Sequence, residues 1–326
     1  MTRRSASSGP PRLCLRAQEQ ANFKALAERL AKTPPGLIDN PDWLAEARDS
    51  CCQLPVRLLE AVRQYRHDPG SSGVLILEGL PAGTEADLPP TPTVLGSAEK
   101  DATVAASCAV LAALQLGEII AYRQEKSGHL VHNVVPVAGE ERSQSNAGSA
   151  PQELHVENAF HAHRPDYVVM LALRSARQHS AGTRVSSVRE ALPLLSEADR
   201  ELLRQPRFTT ASPPSFGSRE ATSPHPVLCG DHDDPDVTVD FAATTALDAD
   251  ARRSMSRLRE AFAATAHVLA LDAGEMIMVD NRVVVHGRAP FAPRYDGRDR
   301  WLHRTYVSLD NRRTRAYRRG NGSVLD

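Results

Sequence analysis

Two residues of the stretch Leu154-His155-Val156-Glu157-Asn158-Ala159-Phe160 carry donor atoms that a metal ion accepts, and they stand two positions apart. On a β-strand, side chains alternate faces, so His155 and Glu157 would point the same way, roughly 6 to 7 Å apart along the backbone. An imidazole and a carboxylate so placed can hold one ion between them. A mid-row transition metal such as Fe(II) takes two histidines and one carboxylate on one face and keeps three positions open. Histidine followed two residues later by an acid occurs twice among the 12 histidines. That is about what chance gives at ordinary acid content, so context must decide. His232 and Asp234 lie in Gly230-Asp-His-Asp-Asp-Pro235, a turn composition with no strand to aim them. His155 lies in an apolar strand context.

A third ligand should come from another strand. The best candidate is His286, which ends the apolar run of Met278-Val-Asp-Asn-Arg-Val-Val-Val-His286 and is followed by Gly287. Glycine there lets the backbone approach a ligand closely. The competing reading is a packed or surface histidine. Beyond it stand Arg300 and Arg304, four apart and so on one face of a strand. The guanidinium fork grips a carboxylate bidentately, which suits a dicarboxylate or an amino acid. The competing reading is two surface arginines of an Arg-rich tail, since Arg294, Arg298, Arg312 and Arg313 are close by.

The elements that must position these groups can be read in outline. Apolar residues at helical spacing predict a helix over Leu15 to Lys32, ended by Thr33-Pro-Pro-Gly36. Asn40 is an N-cap and Pro41 the first residue of a second helix, and Leu54 to Gln64 is a third. Ala102 to Leu116 reads as a buried helix, and Asp248 to Leu271 as a long amphipathic one. Strands are expected at Val74–Leu77, His132–Val137, Tyr167–Leu173, Thr183–Val188, Val237–Phe241, Glu275–Val279, Val283–His286 and Trp301–Leu309. Ser212 to Pro226 is polar, proline-containing and aperiodic, either a lid over a site or a solvated insertion. Short strands without strict βαβ alternation predict a mainly β, α+β fold, a distorted double-stranded β-helix or jelly roll with flanking helices. One domain is expected over residues 15–315, after a disordered leader at 1–14 and before a frayed tail at 316–326.

Composition narrows the partners. The 326 residues carry a net charge of -1, giving no reason to expect nucleic acid or an anionic membrane. No apolar run is long enough to span a bilayer. The basic N-terminus lacks the apolar segment of a signal peptide. Five scattered cysteines read as free thiols in a reducing cytoplasm.

With these motifs assembled, the sequence resembles the Fe(II)/2-oxoglutarate-dependent oxygenases of the clavaminate synthase-like group. Within it, the likeness is greatest to the asparagine oxygenases, free amino-acid β-hydroxylases of non-ribosomal peptide pathways. The matching stretches are Asn146-Ala-Gly-Ser149, His155 to His161 with Arg164-Pro-Asp166, Gly230 to Ala243, Val279 to Val283 with His286-Gly-Arg288, and Pro293 to Gly297 with Arg300-Trp-Leu302 and Arg304. They run from about Pro41 to Arg315. The resemblance implies that His155, Glu157 and His286 bind iron. It implies that Arg300 takes the distal carboxylate of 2-oxoglutarate, helped by a hydroxyl for which Thr183 is chosen over nearby Ser186 and Ser187. Glu125, Asn146, Asp240 and Arg304 would contact the amino-acid substrate, and residues 208–224 would form a lid. Arg304 can pair the α-carboxylate and Glu125 the α-ammonium. Ionised Asp240 accepts hydrogen bonds and repels a side-chain carboxylate, which disfavours aspartate or glutamate.

The resulting expectation is hydroxylation of free L-asparagine at Cβ, with O2 and 2-oxoglutarate consumed and succinate and CO2 released. Arginine, lysine, glutamine or a residue on a peptidyl carrier protein is the alternative, at Cβ or Cγ. Arginine hydroxylases of the group place a second acid two residues before the Asp240 position. Here that residue is Thr238, which argues against a guanidinium. Two readings from other classes are a non-catalytic jelly-roll binding protein and a hydrolytic zinc enzyme. The zinc reading lacks the helical His-Glu-x-x-His pattern and leaves the two arginines without work.

Overall fold

The N-terminal third is helical for the reasons its sequence suggests, and it covers one face of a large sheet. The computed structural model describes residues 9–175, 182–213, 216 and 220–326. A first strand, β1 (Arg12–Cys14), is followed by α1 (Ala17–Ala31), α2 (Pro41–Ser50) and α3 (Val56–His67). Asn40 caps α2 by accepting from the Asp42 and Trp43 N–H groups, with Pro41 at the first position. The next elements are β2 (Val74–Glu78), β3 (Ala98–Glu99) and α4 (Val104–Ala113). Buried on all sides, α4 packs between the other helices and the sheet.

Strands β4 (Glu118–Tyr122), β5 (Val131–Val134), β6 (Gln152–His155), β7 (Tyr167–Arg174) and β8 (Thr183–Ser187) follow. Two short helices, α5 (Val188–Ala191) and α6 (Glu197–Leu203), lead to β9 (Phe208–Thr210), β10 (Leu228–Gly230), β11 (Pro235–Val237) and β12 (Thr244–Ala246). The chain ends with α7 (Ala249–Ala264), β13 (His267–Leu269), β14 (Met276–Asp280), β15 (Val284–Arg288), β16 (Trp301–Ser308) and β17 (Val324–Leu325).

Among the described residues, nine strands form the large sheet, in the path β1-β2-β14-β7-β16-β4-β17 with β5 and β3 attached beside β16. Four others form a second sheet in the order β13-β8-β15-β6. Alternation along β7 shows how the layers join. Tyr167, Val169, Leu171 and Leu173 pack with the helices, while Val168, Met170 and Ala172 pack toward the second sheet. Strand β7 is buried on both faces, which is why its sequence reads as a continuous apolar run. The candidate site residues named from sequence line cavities between the two sheets.

Several boundaries differ from expectation. Residues 12–14, assigned to a leader, pair in parallel with Ile76–Glu78, and Leu15 is buried; residues 1–8 lie outside the described residues. The tail is docked: Val324 and Leu325 pair with Ala121 and Tyr122, and Leu325 is fully buried. The helix expected to reach Leu271 stops at Ala264, because β13 peels away to pair with β8. The strand expected over Val237–Phe241 is displaced to Pro235–Val237. All five cysteines are free, and no helix among the described residues is long and apolar enough to cross a membrane.

Candidate active site

The two histidines are brought together by strand register. On adjacent antiparallel strands, His286 of β15 is the direct partner of His155 of β6, and their ring centres are 4.6 Å apart. Gly287 makes this approach feasible, since a Cβ there would lie 2.7 Å from the Gln152 carbonyl oxygen. The close approach is to the neighbouring strand, where the sequence suggested a ligand.

Glu157 arrives differently from expectation. Strand β6 ends at His155, and Glu157 sits in the turn that follows, where Asn158 takes a positive φ of 53°. Asn281, fully buried, holds this turn. Its Oδ1 accepts from the Glu157 N–H at 2.7 Å, and its Nδ2 donates to the Glu157 and Pro165 carbonyls at 3.1 and 2.8 Å. The role of Asn281 was not read from sequence, although Asp-Asn-Arg belongs to a quoted motif; an amide that pins a turn has no periodicity to betray it.

Ligand atoms of His155, Glu157 and His286 lie within 4.8 Å of one another. The His155 Nδ1–H donates to the Glu153 carbonyl at 2.9 Å, so the Nε2 lone pair is left for a metal. His286 Nε2 lies 3.2 Å from Glu157 Oε2. Burial pushes the His286 imidazole below its usual range, toward the neutral form that ligates. Burial alone would raise the Glu157 carboxyl, but Arg304 and His286 outweigh it and keep it ionised. Two imidazoles and a carboxylate, all converging, suit a mid-row divalent ion. The other His-x-acid pair does not converge. His232 is exposed beside Glu197 and Glu201, while Asp234 is bound by Arg189.

Arg300 and Arg304 share the inner face but differ in company. Arg300, buried just before β16, donates to Thr183 Oγ1 at 3.1 Å and has no carboxylate partner among the described residues. Burial and neighbouring Arg288 push its pKa down to about 10. A buried cation without an anion is costly, and an anionic ligand would relieve it. Arg304 instead holds Glu125 Oε1 at 2.5 Å, Glu157 Oε1 at 3.1 Å and His132 Nδ1 at 2.9 Å. His132 must accept there, because its Nε2–H donates to the His129 carbonyl. The Tyr306 hydroxyl lies 2.9 Å from Glu157 Oε1 and 3.1 Å from both Glu125 oxygens.

Two cavities meet at the triad. The larger, of about 540 Å³, is lined by Glu125, Asn146, Asp240, Arg304 and the aromatic rings of Phe160 and Phe216. The smaller, of about 40 Å³, is lined by Thr183, His286, Arg288 and Arg300. Every candidate residue named from sequence lines one or both. Arg288 sets the wall carrying Asn146, donating to the Ser143, Ser145 and Ala150 carbonyls. Asp240 Oδ1 accepts from the Ala242 N–H at 2.8 Å, which leaves Oδ2 for a ligand. Of the expected lid, residues 214, 215 and 217–219 lie outside the described residues. Phe216 stacks edge-on against Phe160, with centroids 4.8 Å apart.

Comparison with known proteins shows the family. Residues 58–306 match the family model described as taurine catabolism dioxygenase TauD, TfdA family. The chain is 46% identical over 303 residues to the L-asparagine oxygenase of Streptomyces coelicolor, covering 92% of this chain and 90% of that one. It is 33% identical to the L-lysine 3-hydroxylase of Catenulispora acidiphila, covering 96% and 88%. A crystal structure of asparagine oxygenase in complex with Fe(II), 2S,3S-3-hydroxyasparagine and succinate superposes with a TM-score of 0.94 at 43% identity, covering 96% of this chain and 98% of that one. The non-heme iron oxygenase OrfP in complex with Fe and alpha-ketoglutaric acid gives 0.86 at 28% identity, covering 97% and 100%.

Fold and donor set together define a non-haem iron oxygenase. The chain belongs to the TauD/TfdA family and is an iron- and 2-oxoglutarate-dependent dioxygenase.

Proposed function

We propose that this dioxygenase hydroxylates free L-asparagine at Cβ. The amino acid, 2-oxoglutarate and O2 would give 3-hydroxyasparagine, succinate and CO2, the product serving as a building block for non-ribosomal peptides. The observation that carries this reading is the pair of cavities meeting at one triad, with Arg300 lining the smaller alone and Arg304 lining both. The facing sheets correspond to a distorted double-stranded β-helix within a single domain, and five free thiols suit a reducing cytoplasm.

His155, Glu157 and His286 hold the iron, which when bound with 2-oxoglutarate and O2 supplies the oxidising power for C–H hydroxylation. Arg300 and Thr183 hold the distal carboxylate of 2-oxoglutarate in the smaller cavity. In the larger one, a zwitterion can enter by partner exchange. Arg304 turns from Glu125 to the α-carboxylate, and Glu125 takes the α-ammonium, so no charge is left unpaired. Asp240 Oδ2 accepts from the carboxamide NH2, and Asn146 complements the same end. Thr238 does not supply a second carboxylate for a guanidinium, and its hydroxyl already accepts from Arg164. Phe160 and Phe216 exclude water from above, with residues 208–224 as the lid.

The test is a mass-spectrometric screen with Fe(II), ascorbate, 2-oxoglutarate and the twenty free amino acids. A product 16 mass units heavier from asparagine, with matching succinate, is expected. A product from arginine or lysine keeps the chemistry and removes Asp240 from its role. Succinate without any amino-acid product moves the substrate to a carrier-bound residue.

A further inference from the structure

Strand β16 has a second side. Leu302, Arg304 and Tyr306 face the iron site, whereas Trp301 and His303 face the helical layer. There they line a separate cavity of about 570 Å³, as large as the substrate cavity. Its walls are mainly apolar: Leu80, Ala82, Leu88, Val104 and Leu173. Arg174 fixes one wall by binding Glu85 and the Leu88 and Pro89 carbonyls. Lys24 and Glu28, which pair with each other, stand among its outer residues.

His303 is the unusual group. Its side chain is fully buried, yet neither ring nitrogen has a hydrogen-bond partner among the described residues. The nearest acid, Glu99 Oε2, is 3.7 Å from Nε2, beyond hydrogen-bond range. Burial pushes the imidazole pKa down to about 3, so the ring is neutral, with one donor and one acceptor. Two unmet hydrogen-bonding atoms on a fully buried ring are costly unless a ligand meets them. Volume, wall chemistry and head group together describe a small-molecule site.

We propose that this cavity binds an uncharged, largely apolar small molecule whose hydroxyl or carboxamide head bonds His303 and Glu99. A carboxylate head is disfavoured, since it would be buried against a neutral ring and an acid. This site is independent of the substrate assignment.

The protein has two tryptophans, Trp301 in this cavity and Trp43 in the helical core. Labelling with 5-fluorotryptophan therefore gives two resonances, assigned by Trp301→Phe. Benzyl alcohol should shift the Trp301 resonance saturably and leave that of Trp43 in place. Toluene, which lacks the head, and benzoate, which charges it, should bind about tenfold more weakly, the worth of one or two hydrogen bonds. His303→Leu should reduce benzyl alcohol to the level of toluene, and His303→Gln should restore the preference. Should His303→Leu fail to fold, Ala82→Phe, which fills the cavity from a loop, should abolish the Trp301 response. Saturating asparagine and 2-oxoglutarate should leave the response intact. Drift of both resonances without saturation, equal binding of the three compounds, or displacement by asparagine or 2-oxoglutarate would overturn the proposal.

Discussion

At the scale of single residues, the site is a distribution of charge. Arg300 has a hydroxyl beside it, while Arg304 has two carboxylates. Arg300→Leu should therefore raise the 2-oxoglutarate requirement ten- to a hundredfold, about the worth of a charge-assisted hydrogen bond or two, with little change in the asparagine KM. Initial rates against each substrate check this, and the reverse pattern would exchange the roles of the two arginines. Asp240→Asn should lower the discrimination against aspartate, because the repulsion between two carboxylates is removed; competition between asparagine and aspartate reads it. The convergence of the three candidate donors was legible because type and spacing carry it. His155, Glu157 and His286 could be named from a pattern of two and an apolar run. Asn281 and Arg288 could not, because their work is to bind main-chain carbonyls far away in sequence, and such partners leave no local mark.

At the scale of elements, loops and turns complete what strands begin. The turn bearing Glu157 is held by Asn281 rather than by strand pairing. Asn281→Ala would leave a buried N–H and two carbonyls unmet, costing about 2–4 kcal/mol of stability. Iron affinity should fall about ten- to a hundredfold, as is usual when a group that orients a ligand is lost. Denaturant midpoints and iron titration measure the two effects. Arg288→Met should act elsewhere, loosening the 143–150 loop. The asparagine KM should rise severalfold at unchanged iron affinity, and kinetics on the metal-loaded variant decide it. Helix starts such as Asn40-Pro41 and the apolar core strands were readable from local chemistry. The end of α7 was not. Val268 and its neighbours leave the helix because β8 offers an edge to pair with, and that edge comes from residues about 80 positions earlier.

At the scale of the molecule, one large sheet separates two environments, and His303 lies fully on the helical side. Its folded pKa is depressed to about 3 from a usual 6.5. Between those values the unfolded chain binds a proton that the folded chain does not, so stability falls as pH falls through that window. The slope from this group approaches about 1.4 kcal/mol per pH unit. His303→Leu should remove that slope while leaving other acid-sensitive groups in place. Unfolding free energies of both proteins from pH 7 to pH 4 test it, and parallel curves would contradict it. The docking of residues 324–325 on β4 belongs to this scale too. Nothing in a polar, Arg-rich tail marks it as a strand, since only a waiting sheet edge makes it one.

Thr183 and Arg304 stand on strands and Arg300 at a strand's threshold, whereas Glu125, Asn146 and Asp240 stand on loops or isolated bridges. In the proposed assignment, the 2-oxoglutarate contacts Thr183 and Arg300 lie on or beside strands and the side-chain contacts Asn146 and Asp240 lie outside them, whereas Glu157 in its turn and Arg304 on β16 cross that division. A laboratory seeking new hydroxyamino acids would therefore randomise the segments that carry Asn146 and Asp240 and leave Glu157, Arg304 and the sheets alone.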